Sequence, residues 1–128
     1  MHTSSNPPEG VLRGETLVVE DNMLIAMQAE EILIDLGSSQ CHSAGTVKAS
    51  LEILDTAPIA FALLDINLGN ETCEDVAVRL HSAGTPFIFA SGYNEFPAFD
   101  GKFDEIPVVL KPYTQADIAK AISQLDLT

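Results

Sequence analysis

"IAFALLD", Ile59 to Asp65, is the stretch on which the fold turns. Apolar side chains run through it without a polar interruption, and the run stops on a carboxylate. A strand with one wet face alternates apolar and polar residues. A continuous run marks a strand covered on both faces, as in a parallel sheet. Asp65 then stands at a strand's C-terminal end, where open α/β sheets build their sites.

The same pattern recurs outward from this stretch. "TLVV" (Thr16–Val19), "PFIFA" (Pro86–Ala90) and "PVVL" (Pro107–Leu110) read as buried strands, and the more polar "SQCHSAG" (Ser39–Gly45) suits an edge strand. Helical segments lie between them. After Asp21-Asn22, Ile25, Ala29, Ile32 and Leu36 fall on one helix face. Thr46 opens a helix with Val47, Leu51 and Leu54 on one side. Thr72 with Asp75, and Thr114 with Asp117, have capping-box spacing ahead of two more helices. Strand and helix alternate, so the expected fold is α/β: a flavodoxin-like (βα)5 doubly wound parallel sheet of strand order 2-1-3-4-5. The fourth helix should be short or irregular, because Pro97 and Gly101 interrupt Ser91–Glu105.

With 128 residues and 46 % apolar content, the chain suits one domain with a real core. Residues 1–13 read as a flexible N-terminal tail and 14–128 as the domain. The formal net charge of −13, from 19 acidic and 6 basic side chains, argues against nucleic acid and anionic membrane as partners and favours metal ions. No apolar run reaches membrane-spanning length, and the start resembles no signal peptide, so a cytoplasmic location is expected. Cys41 and Cys73 form no disulfide or zinc pattern, and His2, His42 and His81 lack ligand spacing.

Read at their C-terminal ends, the strands deliver Glu20-Asp21, Asp65, Ser91 and Lys111 to one edge of the sheet. "VVLKPY" (Val108–Tyr113) is informative here, since an aliphatic run ending on an ammonium gains nothing from packing alone. Clustered carboxylates repel and need a cation, and oxygen ligands of this kind suit Mg²⁺. A carboxylate can attack phosphorus to give an acyl phosphate. Asp65, on the central strand, is the expected nucleophile. Lys111 and the Ser91 hydroxyl would bind the phosphoryl oxygens.

These residues, within "LVVED", "LLDINL", "FIFASGY" and "VLKPY", resemble the response-regulator receiver domains of two-component signalling, which are CheY-like. "PFIFASGY" is similar to the PFxFATGY subgroup of single-domain receivers, with Ser91 in place of Thr. The resemblance implies that Asp65 is the phosphoacceptor. It implies that Asp21 binds Mg²⁺ directly, Glu20 through water and Asn67 through its backbone carbonyl. It also implies a cis Lys111–Pro112 peptide and a histidine kinase, of the HWE or a related type, or a phosphotransfer protein as partner. Receivers usually carry an aromatic switch where this chain has Val108. The switch is therefore expected in Ser91–Glu105, with Ser91, Tyr93 and Phe96 as candidates.

Only 17 residues follow Lys111, so the expected function is that of a single-domain response regulator acting as phosphoryl shuttle, sink or protein-binding switch. It is not expected to be an enzyme beyond its own phosphorylation and dephosphorylation. Two rivals are a pseudo-receiver that is never phosphorylated and a Mg²⁺-dependent phosphatase of the haloacid dehalogenase type. The latter needs a second Asp where this chain has Asn67.

Overall fold

The computed structural model describes residues 11–92 and 99–125. Within these residues five strands, β1 (Glu15–Val19), β2 (Gln40–Ala44), β3 (Ile59–Asp65), β4 (Phe87–Ser91) and β5 (Val108–Leu110), alternate with four helices. These are α1 (Met23–Asp35), α2 (Val47–Thr56), α3 (Glu74–Ala83) and α4 (Gln115–Ser123). All pairings are parallel and the order is β2-β1-β3-β4-β5, as the alternation of elements predicts.

Period-2 alternation sends successive strand residues to opposite faces, so each apolar run serves two cores. Val18, Phe61, Leu63, Ile88 and Val109 pack with Ala29 and Leu33 of α1 and Ile118 and Ile122 of α4. Leu17, Val19, Ala62, Leu64, Phe87 and Phe89 pack with Val76 and Leu80 of α3, and Leu51 and Leu54 of α2 lean on the same cluster. Register then sets the site. Val19 pairs with Leu64, Asp65 with Ala90, and Ser91 with Leu110, so the strands end together at one edge.

Three local expectations are corrected. The packed body starts before residue 14, because Leu12 is only 3 % exposed and its N–H donates to the Leu36 carbonyl at 2.9 Å. Of the strand runs, β5 is not covered on both faces: Val108 is 37 % and Leu110 57 % exposed. Among the described residues, the β4–β5 connection supplies only a 3₁₀ turn, Phe99–Gly101, where a covering helix would lie. That turn fits the expected irregular fourth helix; Pro97 lies outside the described residues. Phe99 and Phe103 plug the gap, stacking edge-on or tilted against Phe89, with Phe103 also against Phe87.

The capping box forms at Thr114–Asp117 but not at Thr72–Asp75. Thr72 is instead bridged antiparallel to Asn67, which leaves Cys73 at the N-cap of α3. Thr114→Ala should therefore lower stability by about 1 kcal/mol. Thr72→Ala should cost less than about 0.5 kcal/mol, the ordinary range for a surface change. Urea denaturation of both variants checks this; equal losses would contradict it.

Candidate functional site

The site is assembled by chain reversals at the strand ends. β1 runs into Glu20 and Asp21, and Asn22 then caps α1 by accepting the N–H groups of Leu24 and Ile25. β3 ends on Asp65, only 2 % exposed, and Glu20 beside it is 5 % exposed. Asp21 is exposed to solvent. Carboxylate oxygens of Glu20, Asp21 and Asp65 lie within 4.8 Å of one another. The Lys111 ammonium donates to Asp65 Oδ2 at 2.9 Å and to Glu20 Oε1 at 3.2 Å. The remaining oxygens are also held: Glu20 Oε2 accepts from the Asn22 N–H at 3.0 Å and Asp65 Oδ1 from the Asn67 N–H at 3.3 Å.

Lys111 is aimed by the backbone. Its N–H donates to the Ser91 carbonyl at 2.8 Å, and the Lys111–Pro112 peptide is cis, as the family resemblance leads one to expect. Ser91 is fully buried at the end of β4, and its hydroxyl donates to the Gly92 carbonyl at 2.9 Å. Of the residues expected at the site, Glu20, Asp21, Asp65 and Lys111 come into one cluster, with Asn67 on the adjoining loop and Ser91 at the same edge. Tyr93 and Phe96 lie outside the described residues.

Charge in this pocket is not at its ordinary setting. Burial pushes the Glu20 carboxyl up to about 7, with the Asp65 charge adding and the Asn22 N–H and Lys111 opposing. Burial alone would lower the Lys111 ammonium, but its hydrogen bond to Asp65 and the charges of Asp65 and Glu20 outweigh it and raise it. Burial likewise raises the Tyr113 hydroxyl, and the field of Glu20 and Asp65 adds to that. The Cys41 and Cys73 thiols are pushed up by burial to about 11 and about 12, so both are unreactive at neutral pH.

An all-oxygen set with one member open to solvent fits a hard divalent cation that keeps several waters. The pocket is thus an acidic cluster able to bind a metal, with a lysine poised over one carboxylate. Sequence reading did not single out two residues of this region. Tyr113 is buried beside the pocket, and Glu71, from the β3–α3 loop, accepts the N–H of Val47 at 3.0 Å. A contact across 24 residues leaves no periodic signal.

No protein-family model matches the chain. Among solved structures, the chain is 33 % identical to SdrG from Sphingomonas melonis Fr1, covering 87 % of this chain and 94 % of that one, with a TM-score of 0.76. The BeF3-activated conformation of SdrG, from Pseudomonas melonis Fr1, is 35 % identical, covers 86 % and 93 %, and gives a TM-score of 0.70. Sensory transduction protein LytR of Staphylococcus haemolyticus is 27 % identical over 114 residues, 87 % of this chain. The chain spans 44 % of the length of that LytR. One third identity with a chain that it covers almost throughout, on a sheet of the same doubly wound order that its own sequence predicts, makes the protein a member of the response-regulator receiver domains of two-component signalling.

Proposed function

We propose that the protein is a single-domain response regulator, phosphorylated on Asp65 by a histidine kinase or phosphotransfer protein in a Mg²⁺-dependent step. One observation carries the reading: the Asp65 carboxylate ends the central strand with Lys111 Nζ at 2.9 Å and the Glu20 and Asp21 oxygens close by. Glu20, Asp21, Asp65 and the Asn67 carbonyl would hold the cation, which when bound neutralises charge on the transferring phosphoryl group.

The chain's own residues do the rest. Asp65 attacks phosphorus, and a P–O bond forms as the P–N bond to the donor histidine breaks. The electron pair returns to the imidazole, which takes up a proton. Lys111 shifts its ammonium from the free carboxylate to the phosphoryl oxygens, and Ser91 turns its hydroxyl toward them. A donor protein needs a foothold beside Asp65. Met23 and Leu24, 76 % and 77 % exposed, follow Asn22 directly and offer an apolar one. No described helix is long and apolar enough to cross a membrane. The output is a phosphoryl shuttle, a sink or a protein-binding switch, with no turnover of small substrates.

The test is incubation with a small acyl-phosphate donor or a phosphorylated histidine kinase, with and without chelator. An acid-stable, base-labile adduct of one phosphoryl group is expected with Mg²⁺ only. Steady hydrolysis of phosphate esters would instead mark a phosphatase, and absence of any adduct with every donor a pseudo-receiver. Asp21→Ala should remove most of the rise in melting temperature that Mg²⁺ gives by binding the native state. An unchanged rise in that variant would put the metal elsewhere.

A further inference from the structure

Two loops meet over Asp21. One is the bend after β2: a Cβ placed on Gly45 would lie 3.6 Å from the Asp21 Cα and 3.7 Å from the Glu20 carbonyl oxygen. The other follows β3: a Cβ on Gly69, whose φ is +86°, would lie 3.6 Å from Asp21 Oδ2. This second loop is a small hairpin. Asn67 and Thr72 pair antiparallel, Leu68 N–H donates to the Glu71 carbonyl at 2.9 Å, and Cys73 N–H to the Ile66 carbonyl at 3.2 Å. Gly69 N–H donates to Asn67 Oδ1 at 2.9 Å. These bonds give the hairpin its shape. They do not fix its distance from the opposite loop. The Glu71 side chain does: its Oε2 accepts the N–H of Val47, the first residue of α2, at 3.0 Å.

We propose that Glu71 is a positioning residue for the metal pocket, clamping the β3–α3 hairpin to the start of α2. The clamp holds the Asn67 carbonyl, and the gap between hairpin and Asp21, at the spacing a divalent cation needs. The inference rests on the reading of Glu20, Asp21, Asp65 and Asn67 as the Mg²⁺ site. Glu71 touches neither the reacting carboxylate nor the phosphoryl group. Its action is through backbone position, as outer partners of metal ligands act. Asn67 and the hairpin tip, Gly69 and Asn70, are exposed, so without the clamp solvent competes for their place.

A plain helix-cap role for Glu71 is a distinguishable reading. α2 already has a cap, since Thr46 Oγ1 accepts the Ala49 N–H at 3.1 Å. If Glu71 only caps the helix, Thr46→Ala and Glu71→Ala should behave alike. If it positions the loop, they should part.

The experiment is calorimetric titration of Mg²⁺ into the full chain for wild type, Glu71→Ala, Glu71→Gln and Thr46→Ala, with melting curves and amide exchange measured metal-free. Glu71→Ala should lose about tenfold in Mg²⁺ affinity. Glu71→Gln should stay within about twofold, because its amide oxygen accepts the same bond. Thr46→Ala should lower the melting temperature and leave affinity unchanged. In the metal-free protein, exchange at Leu68 and Cys73 should quicken in Glu71→Ala and be restored in Glu71→Gln. Unchanged exchange at those amides in Glu71→Ala overturns the proposal, as does an equal loss of Mg²⁺ affinity in Thr46→Ala. A loss in Glu71→Gln matching that in Glu71→Ala also overturns it, since charge rather than the bond would then matter. Failure of wild type to bind Mg²⁺ would sink the metal reading, and amide exchange alone would then decide the clamp.

Discussion

Asp65→Asn loses phosphoryl labelling by at least about a hundredfold, the scale expected when a nucleophile is removed and its surroundings stay intact. Asn has nearly the same shape, and its single carbonyl oxygen can keep the bond from Lys111 or the one from the Asn67 N–H, though not both. What disappears is a nucleophilic oxygen. The neighbouring carboxylates cannot replace it. Glu20 stands at the end of β1 rather than of the central strand, its contact with Lys111 is longer at 3.2 Å, and burial pushes its carboxyl up to about 7. Asp21 is exposed, and no lysine contact to it is among the ion pairs of the described residues. Asp65 alone joins burial, a central strand and a 2.9 Å lysine contact. The fold should survive, because one of three crowded carboxylates has been neutralised, and the metal-free variant should melt no lower than wild type. Full labelling of a folded Asp65→Asn, or its transfer to Glu20, would remove Asp65 from its place in the mechanism.

What made this site readable in sequence is the economy of the parallel sheet. A strand buried on both faces has to be apolar throughout, so the first polar residue after it announces its end. Glu20, Asp65 and Ser91 were legible for that reason, and Lys111 because β5 stops on it. Strand order then carried them to one edge without any long-range information. The features that escaped depend on partners far away in sequence. Thr72 has the spacing of a cap, yet Asn67 holds it in a hairpin, and local pattern cannot weigh that competition. Leu12 looked like tail until the backbone of Leu36 supplied its partner. Val108 and Leu110 satisfy a buried-strand pattern, but whether they are covered is decided by the connection before them, in which Phe99 and Phe103 fill the core from a turn. Glu71 is one acid among 19, and only its bond to Val47, 24 residues away, sets it apart.

Glu20→Gln should stabilise the metal-free protein at pH 8 while weakening its response to Mg²⁺. The Glu20 carboxyl has an ordinary value of 4.5 and is raised to about 7 in the fold, first by burial and then by the Asp65 charge. A group raised in this way is better protonated folded than unfolded. Its favourable contribution is complete below 4.5 and is lost as pH climbs through about 7. Wild type without metal should therefore lose stability between those limits. The full shift would correspond to about 3 kcal/mol, and solvent reaching the pocket on the exposed Asp21 side reduces the expectation to about 2 kcal/mol. Gln cannot ionise, so this slope should vanish in the variant, and its carbonyl oxygen can still accept the Asn22 N–H or the Lys111 ammonium. Addition of Mg²⁺ reverses the ranking. The cation offsets the repulsion that burdens wild type, whereas Gln offers it a neutral neighbour, so Mg²⁺ should raise the melting temperature of wild type more than that of Glu20→Gln. Denaturant titrations from pH 4.5 to 8, with and without Mg²⁺, measure both effects. Parallel pH profiles for the two proteins would mean that Glu20 is ionised at no cost, with Lys111 fully compensating its burial. The crowding of acids at this edge would then be a feature of charge pairing alone rather than a strain that a cation relieves.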